Sequence, residues 1–445
     1  MQILLVNQYA QCDVAPNPQK QRDGRDELHT EEAAAEGAPN HPQAVWMGLI
    51  AGLSHNMVVG CLMGSFSVML ASVETRMNVT REMSTAAGPL VILGSAILAS
   101  LAGELMARRS LRLLMFIGAC LSVLGYLVLA FTTSYPLYLG AYLLLFGPSM
   151  AIAGSVGPAT LVTRWFSRNR GLALGLVHLS IVVAIMPLLC NWVLAQYGAQ
   201  TTYLMLAVLV GVSLVPATLA IRNYPPGEGV VHGASGHHGT SGAMQPADTL
   251  TVGQIIRRPA FWALAGASGI VIMSLLVLTF NMVPLAESLG VGRDQGALLQ
   301  SIMAFAGMAG SIIFGWVADK LGGARGLALL AGGMAVLFGL LLLDLPFAGL
   351  AVVIGLLGLY GAGMVPNLSR SLAHSLGQGS FSRAFGLSTA VGVPLTVIGV
   401  MGMGAVYTRT GSYAPAIIGL AILLVVAVPL ALAARGAPQR GVSPA

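Results

Sequence analysis

Residues 315–325 read Gly-Trp-Val-Ala-Asp-Lys-Leu-Gly-Gly-Ala-Arg, and the stretch that begins at Gly103 reads Gly-Glu-Leu-Met-Ala-Arg-Arg-Ser-Leu-Arg. Each lies between long apolar runs. Two more pairs keep nearly the same separation as Gly103 and Gly315. SRNRGLALG around Arg170 returns as FSRAFGLS around Arg383, and YGAQ at Tyr197 returns as TGSY at Thr410. Three nearly equal offsets make the chain two copies of one unit laid in the same direction. Parallel halves of this kind place their shared site between them, near the midplane of a membrane.

Composition points to lipid. The 445 residues are 56% hydrophobic and 9% charged, whereas soluble domains carry about 25% charged residues. Mean hydropathy is +0.80. A bilayer-crossing helix needs about 20 apolar residues, and twelve segments qualify. They are 44–70, 85–106, 113–132, 137–163, 171–194 and 203–221, then 260–284, 296–316, 326–344, 347–373, 384–407 and 415–434. The expected fold is an all-α membrane protein with twelve transmembrane helices in two parallel six-helix repeats. Residues 1–43 read as a disordered tail, 44–221 as the first half and 222–259 as a Gly-, Pro-, His- and Ser-rich linker. Residues 260–434 form the second half, and 435–445 a tail.

Charge gives the orientation. With the N-terminus inside, 18 of the 22 Lys and Arg fall on the inner side, leaving Arg76, Arg81, Arg293 and Arg409 outside. That alternation is the positive-inside pattern, so the net charge of +6 is a topology signal and not a nucleic-acid footprint. The expected location is a bacterial inner membrane, with both termini cytoplasmic. Cys12, Cys61, Cys120 and Cys190 have no metal-ligand spacing, and three of them lie in apolar runs as small packers.

The 315–325 segment closely resembles the signature loop of the major facilitator superfamily. The resemblance implies the major facilitator fold and a gating role for Gly315, Asp319, Lys320, Gly322 and Arg325. In this reading the small Gly315 lets helices approach. Asp319 at a helix end locks one conformation by pairing with an Arg or a helix N-terminus. The first-half copy carries Ala107 where the pattern has Asp and Ser110 where it has its second Gly, and keeps Gly103, Leu105, Arg108 and Arg112. Glu104 is the acid that could stand in for the missing Asp. Arg108, Arg164, Arg170 and Arg383 complete the expected inner gate.

A narrower resemblance covers most of the chain. Residues 64–84 (GSFSVMLASVETRMNVTREMS), 163–175 (TRWFSRNRGLALG), 283–302 (VPLAESLGVGRDQGALLQSI) and 407–416 (YTRTGSYAPA) follow one another in an order that looks like the bacterial monocarboxylate porter and oxalate/formate antiporter branch. It implies a small organic anion as cargo. The sequence departs from that branch at two places. The eighth span holds Gly310-Ser311-Ile312-Ile313-Phe314, where carboxylate carriers often have Arg, and the eleventh has no basic residue from Ala384 to Tyr407.

Polar groups inside a membrane are costly, so each is a candidate site residue. His55 and Asn56 lie 12 and 13 residues into the first span, roughly 18 Å deep in a core of about 30 Å. They form the leading substrate-binding pair, the competing reading being a bond to a neighbouring helix. Arg370 is the most embedded cation. It suits a bidentate carboxylate contact, or else snorkelling or pairing with an inner-gate acid. Tyr360 lies near the midplane of the tenth span, where an aromatic either packs or bonds a solute. His178 and His374 lie nearer the inner face, and Asn191 and Asn281 near outer ends suited to capping. Gly48/Gly52, Gly60/Gly64 and Gly171/Gly175 have small-xxx-small spacing, and Pro148, Pro158, Pro187, Pro284, Pro366 and Pro394 interrupt spans.

No Asp or Glu lies at the centre of a span, which argues against proton-driven drug efflux. No P-loop, nucleotide fingerprint or metal cluster is found, so no enzyme and no cofactor is expected. The reading expects a monomeric secondary transporter in the lipid bilayer, partnered by a small-molecule solute and not by nucleic acid. A co-transported proton stays open. If protons are coupled, His55 is the best carrier, unless the solute brings its own. A carrier of a neutral or amphiphilic solute, including efflux, is the first competitor, and a transporter-like sensor the second.

Overall fold

The computed structural model describes residues 41–166, 170–179, 181–226, 250–377 and 380–434. Most of the expected tail 1–43, the centre of the linker and the tail 435–445 lie outside the described residues. Helix is the regular structure of all that is described.

The first half contains α1 (Ala44–Met77), α2 (Arg81–Thr85 continued by Ala87–Arg108), α3 (Leu111–Phe131) and α4 (Tyr135–Trp165). Next come a segment Arg170–Val177 and a 39-residue helix, Ile181–Leu219. Thirty-nine residues make about 58 Å of helix, twice the bilayer core. The backbone leaves helical geometry at Gly198, with φ 79° and ψ 176°, a conformation that glycine adopts without a Cβ clash. The chain turns there, giving α5 (170–197, interrupted after Val177) and α6 (199–219). Eleven long apolar helices are thus twelve spans. The second half contains α7 (Pro259–Ser288), α8 (Arg293–Leu321), α9 (Gly323–Leu340), α10 (Phe347–Leu376), α11 (Phe381–Thr410) and α12 (Ala414–Ala433). A short helix, Val252–Ile256, precedes α7 behind a capping box of Thr251 and Gln254.

Every expected span is present, and most run past their apolar stretch. The apolar run of α1 stops at residue 70, yet the helix reaches Met77, because its polar end residues have partners. Glu74 pairs with Arg81 at the start of α2. Arg76 donates to the carbonyls of Leu129 (2.9 Å) and Thr132 at the end of α3. Asn78, with φ 53°, then stops the helix. The expected break at 195–202 shrinks to the single turn at Gly198. α1 seats on α5 through Gly60 and Gly64, where a Cβ would meet Val182 at 2.5 Å and Met186 at 2.6 Å.

The start of α1 (Ala44) and the end of α12 (Ala433), twelve spans apart, lie at one end of the bundle, here the termini end; the other is the distal end. The halves meet mainly through distal stretches: α1 on α7, α2 on α11 and α5 on α8. Phe66 of α1 stands edge-on to Phe280 of α7, centroids 4.8 Å apart.

Candidate functional site

Three helices of the first half lose regular geometry at one level. α1 widens into a π-turn over Asn56–Gly60, α4 does so over Met150–Val156, and α5 is interrupted between Val177 and Ile181. Such turns recur at functional positions. Pro158 accounts for α4. It has no N–H for the carbonyls four and five residues before it, Gly154 and Ala153. α1 supplies the missing donors: Ser54 Oγ donates to Ala153 O at 2.6 Å, and His55 Nδ1 to Gly154 O at 2.7 Å. A carbonyl only accepts, so Nδ1 of His55 carries a proton.

Asn56 bridges the interruption in α5. Its Oδ1 accepts from Val182 N at 3.0 Å, and its Nδ2 donates to Leu179 O at 2.9 Å and Gly52 O at 3.0 Å. Both amide donors are thereby taken in this conformation. His178 donates from Nδ1 to Leu174 O at 2.9 Å, and its ring centroid lies 4.7 Å from that of His55. The expected pair is thus brought together with a third residue, His178, and Asn56 is bound into α5.

The distal seam carries a second polar set, doubled by the repeat. Arg81 and Glu82 open α2, and their counterparts in the second half, Arg293 and Asp294, open α8. Arg81 donates to the Tyr413 hydroxyl at 3.2 Å and lies 5.4 Å from the centre of the Tyr407 ring. At the turn between α1 and α2, the same guanidinium pairs with Glu74. Arg293 donates to Val68 O at 2.6 Å, and Asn191 Nδ2 of α5 donates to Asp294 Oδ1 at 2.6 Å. Deeper, fully buried Gln300 donates to Met63 O at 3.2 Å and accepts from Ser67 Oγ. Sequence reading gives Asn191 a capping role; it reaches across the halves instead. Sequence reading passes over Gln300 and Ser67, although a glutamine seven residues into an apolar span is an available signal.

At the termini end, Asp319 accepts from Arg370 Nη1 at 2.5 Å, with side chains 69% and 50% exposed. This is the acid-pairing alternative for Arg370, formed within the second half. Exposure limits such a pair to about 1 kcal/mol. Lys320 Nζ lies 5.6 Å from the centre of the Trp316 ring. Gly322 turns α8 into α9 at φ 82°, and Arg325 is exposed on the first turn of α9. Gly315 is not a close-approach position here: nothing lies within 4 Å of where its Cβ would stand. That function belongs to Gly310, which faces the Leu359 backbone, and to Gly323 and Gly326, which face Asn367.

Tyr360 packs on Phe314, centroids 5.0 Å apart, and on Gly333, inside the second half. Arg383 donates to Leu250 O at 2.6 Å. Arg164 donates to Met106 O at 2.8 Å and covers the Tyr224 ring at 4.7 Å. Glu104 is exposed on α2. The side chains of Arg108 and Arg170 lie outside the described residues. Among the described residues, no group of three His, Cys, Asp or Glu is placed to hold a metal.

Two like six-helix halves, joined by polar bonds at one end and carrying interrupted helices near mid-depth, define a carrier of the secondary-transporter class. The profile of the Major Facilitator Superfamily matches residues 49–393, and the chain belongs to that superfamily. It is a multi-pass membrane transporter and not an enzyme. The chain is 21% identical over 391 residues to the uncharacterized MFS-type transporter YcxA of Bacillus subtilis (strain 168), covering 84% of this chain and 90% of YcxA. It is 23% identical over 299 residues to the oxalate:formate antiporter of Oxalobacter formigenes, 66% of each chain. In fold it matches the crystal structure of a bacterial homologue of the human lysosomal transporter Spinster, solved inward-facing and unoccupied. The TM-score is 0.67 at 14% identity, covering 89% of this chain and 98% of that one.

Proposed function

We propose that the protein moves a small organic anion of the monocarboxylate type across a bacterial inner membrane by alternating access. It works as a monomer, with both termini in the cytoplasm. The observation that carries the anion reading is Arg370, a half-exposed guanidinium in the inner third of α10 held by one acid, Asp319. A carboxylate arriving from between the halves can displace Asp319 and take the guanidinium bidentately. The likeness to an oxalate:formate antiporter supports the same class. In this reading the distal seam is the outer gate, closed in the state described, and the Asp319 loop is the inner gate. His55 and Asn56 stand on the solute path.

A second reading, a neutral or amphiphilic solute, is favoured by the Asp319 carboxylate that already neutralises Arg370 and by the uncharged Ser67 and Gln300 in the seam. A thermal-shift screen of the purified protein separates the two. Formate, lactate and oxalate are set against neutral and cationic solutes. A ligand at 100 times its Kd stabilises by about 2.7 kcal/mol. The anion reading expects stabilisation by the carboxylates, lost in Arg370→Ala. Stabilisation by neutral or cationic compounds alone refutes it and leaves the fold assignment standing.

A further inference from the structure

We infer that Arg293, at the mouth of the distal seam, is the first carboxylate-binding station on the solute path, and that its bond to Val68 O holds the solute's place while the distal end is closed; this rests on the anion reading above. The four distal cations differ in what holds them. Arg409 is exposed at the end of α11. Arg76 spreads over the carbonyls of Leu129, Ala130 and Thr132, which the end of α3 leaves without helical partners. Arg81 has an acid, Glu74, and two tyrosines, Tyr413 and Tyr407. Arg293 is the repeat counterpart of Arg81, yet among the described residues it has no acid. Its bond runs from Nη2 to Val68 O at 2.6 Å, and its Nε is buried without a partner.

The sequence explains the missing acid. Counted by the Arg81–Arg293 offset, the residue that matches Glu74 is Ala286, buried and apolar. Asp294 does not replace it. Adjacent residues of a helix point apart, and the Asp294 carboxylate accepts from Asn191 of α5. Nor does Val68 O call for a cation. Val68 lies inside α1, where the helix itself supplies a donor, the N–H four residues on. The bond is therefore a resting contact for the guanidinium and not the repair of an unpaired carbonyl. A guanidinium carries five donors in a fork that matches a carboxylate.

The position lies on the path between the halves. Gln300 stands seven residues along α8, on the same face as Arg293. It too reaches α1, at Met63 O and Ser67 Oγ. When the halves part at the distal end, this face of α8 turns a cation and then an amide toward the opening. A small anion entering there meets Arg293 first. The bond to Val68 O exchanges for charge-assisted bonds to the carboxylate, with no covalent change. Arg370 serves the other end of the path, in the inner third of α10.

Double electron–electron resonance tests this on the full chain without its native cysteines, with nitroxides on Thr75 and Leu289 at the exposed distal ends of α1 and α7. The quantity read is the change in the closed-to-open ratio on adding saturating formate, lactate or oxalate. A contact made only in the distal-open state adds its worth to that change. In Arg293→Gln the response should therefore move toward closed by at least about ten-fold relative to wild type, the worth of a bond to a charged group. Glutamine keeps a donor for Val68 O, so the resting bond can persist. Arg293→Lys keeps the charge without the fork and should fall between the two. Arg370→Ala should move the response the opposite way. A latch with no solute contact alters the ratio without anion and leaves the response to anion unchanged. Equal responses in wild type and Arg293→Gln thus overturn the inference, and so does a lysine variant no better than the glutamine one. Should Arg293→Gln fail to fold, a response of wild-type size in Arg293→Lys overturns it. If none of the three carboxylates stabilises wild type in a thermal-shift screen, the anion reading itself has failed and the inference falls with it.

Discussion

Asp294→Ala should open the distal end. Asn191 is buried, its Nδ2 donates to Asp294, and its Oδ1 is buried without a partner. Removing the carboxylate leaves the whole amide unsatisfied in the distal-closed state. A buried polar group stripped of its partner costs about 1–3 kcal/mol. In the distal-open state water reaches both ends of this bond, so the same substitution costs little there. The loss of the Asp294 carboxylate from the first turn of α8 applies to both states and cancels. The closed-to-open ratio should therefore fall by about 5- to 150-fold.

Nitroxides on Thr75 and Leu289, exposed at the distal ends of α1 and α7, report that ratio by double electron–electron resonance in a background without the native cysteines. The long-distance population should rise in Asp294→Ala. Adding Asn191→Leu removes the stranded amide, so the double variant should return toward wild type, because deleting both partners of a buried bond is far milder than deleting one. A single variant with the wild-type distribution refutes the reasoning. A double variant as open as the single one shows that the stranded amide is not the cause.

The repeat makes a matching forecast on the other arm. Gly404 of α11 faces Thr85 and Glu82 so closely that a Cβ would meet Thr85 Oγ1 at 2.6 Å, so Gly404→Leu should raise the same long-distance population. Gly310→Ala, placed against the Leu359 backbone, should lower thermal stability by about 1–3 kcal/mol by overpacking. Gly315→Ala meets open space and should leave stability unchanged. Equal melting of the two alanine variants counts against this contrast. Asp319→Asn should tighten carboxylate binding by up to about five-fold, the worth of an exposed ion pair of about 1 kcal/mol, read by thermal-shift titration. Weaker binding in that variant contradicts displacement of Asp319 by the solute.

The fold was legible because lipid enforces it. Backbone polar groups cannot go unpaired in hydrocarbon, so apolar runs of span length become helices, and a motif that returns at a constant offset becomes two halves. Helix ends were less legible, since residues such as Glu74 and Arg76 look like loop until their partners on other helices are known. The site was legible in part. His55 and Asn56 stood out because polar groups at mid-depth are expensive. Where their bonds go depends on Pro158 freeing carbonyls on a distant helix, which no local pattern states. Gln300 carried a signal, a polar amide in an apolar span, but its partners Ser67 and Met63 lie in the other half and only the fold names them. Gly315 was assigned a packing role because its motif is local, whereas the close approach at Gly310 depends on the path of α10.

One helix joins the two polar sets. α5 is regular from Ile181 to Tyr197, and Asn56 grips its start through Val182 N. Nine residues later, past Pro187, the same helix carries Asn191 into the distal seam, about 14 Å further along. A change in how α1 holds that start therefore tilts the end that meets Asp294. Coupling between sites needs an element with two arrangements that both sites bias. α5 touches both sets: Asn56 bonds its start, beside the Gly60 and Gly64 contacts, and Asn191 bonds Asp294 in the distal seam. Of these two asparagines, Asn56 neighbours His55 and Asn191 belongs to the distal seam. A carrier built this way need not transmit strain through the second half at all. The distal gate should therefore respond to Asn56→Ala as it does to Asp294→Ala, although the side chain of Asn56 bonds Gly52, Leu179 and Val182, all within the first half.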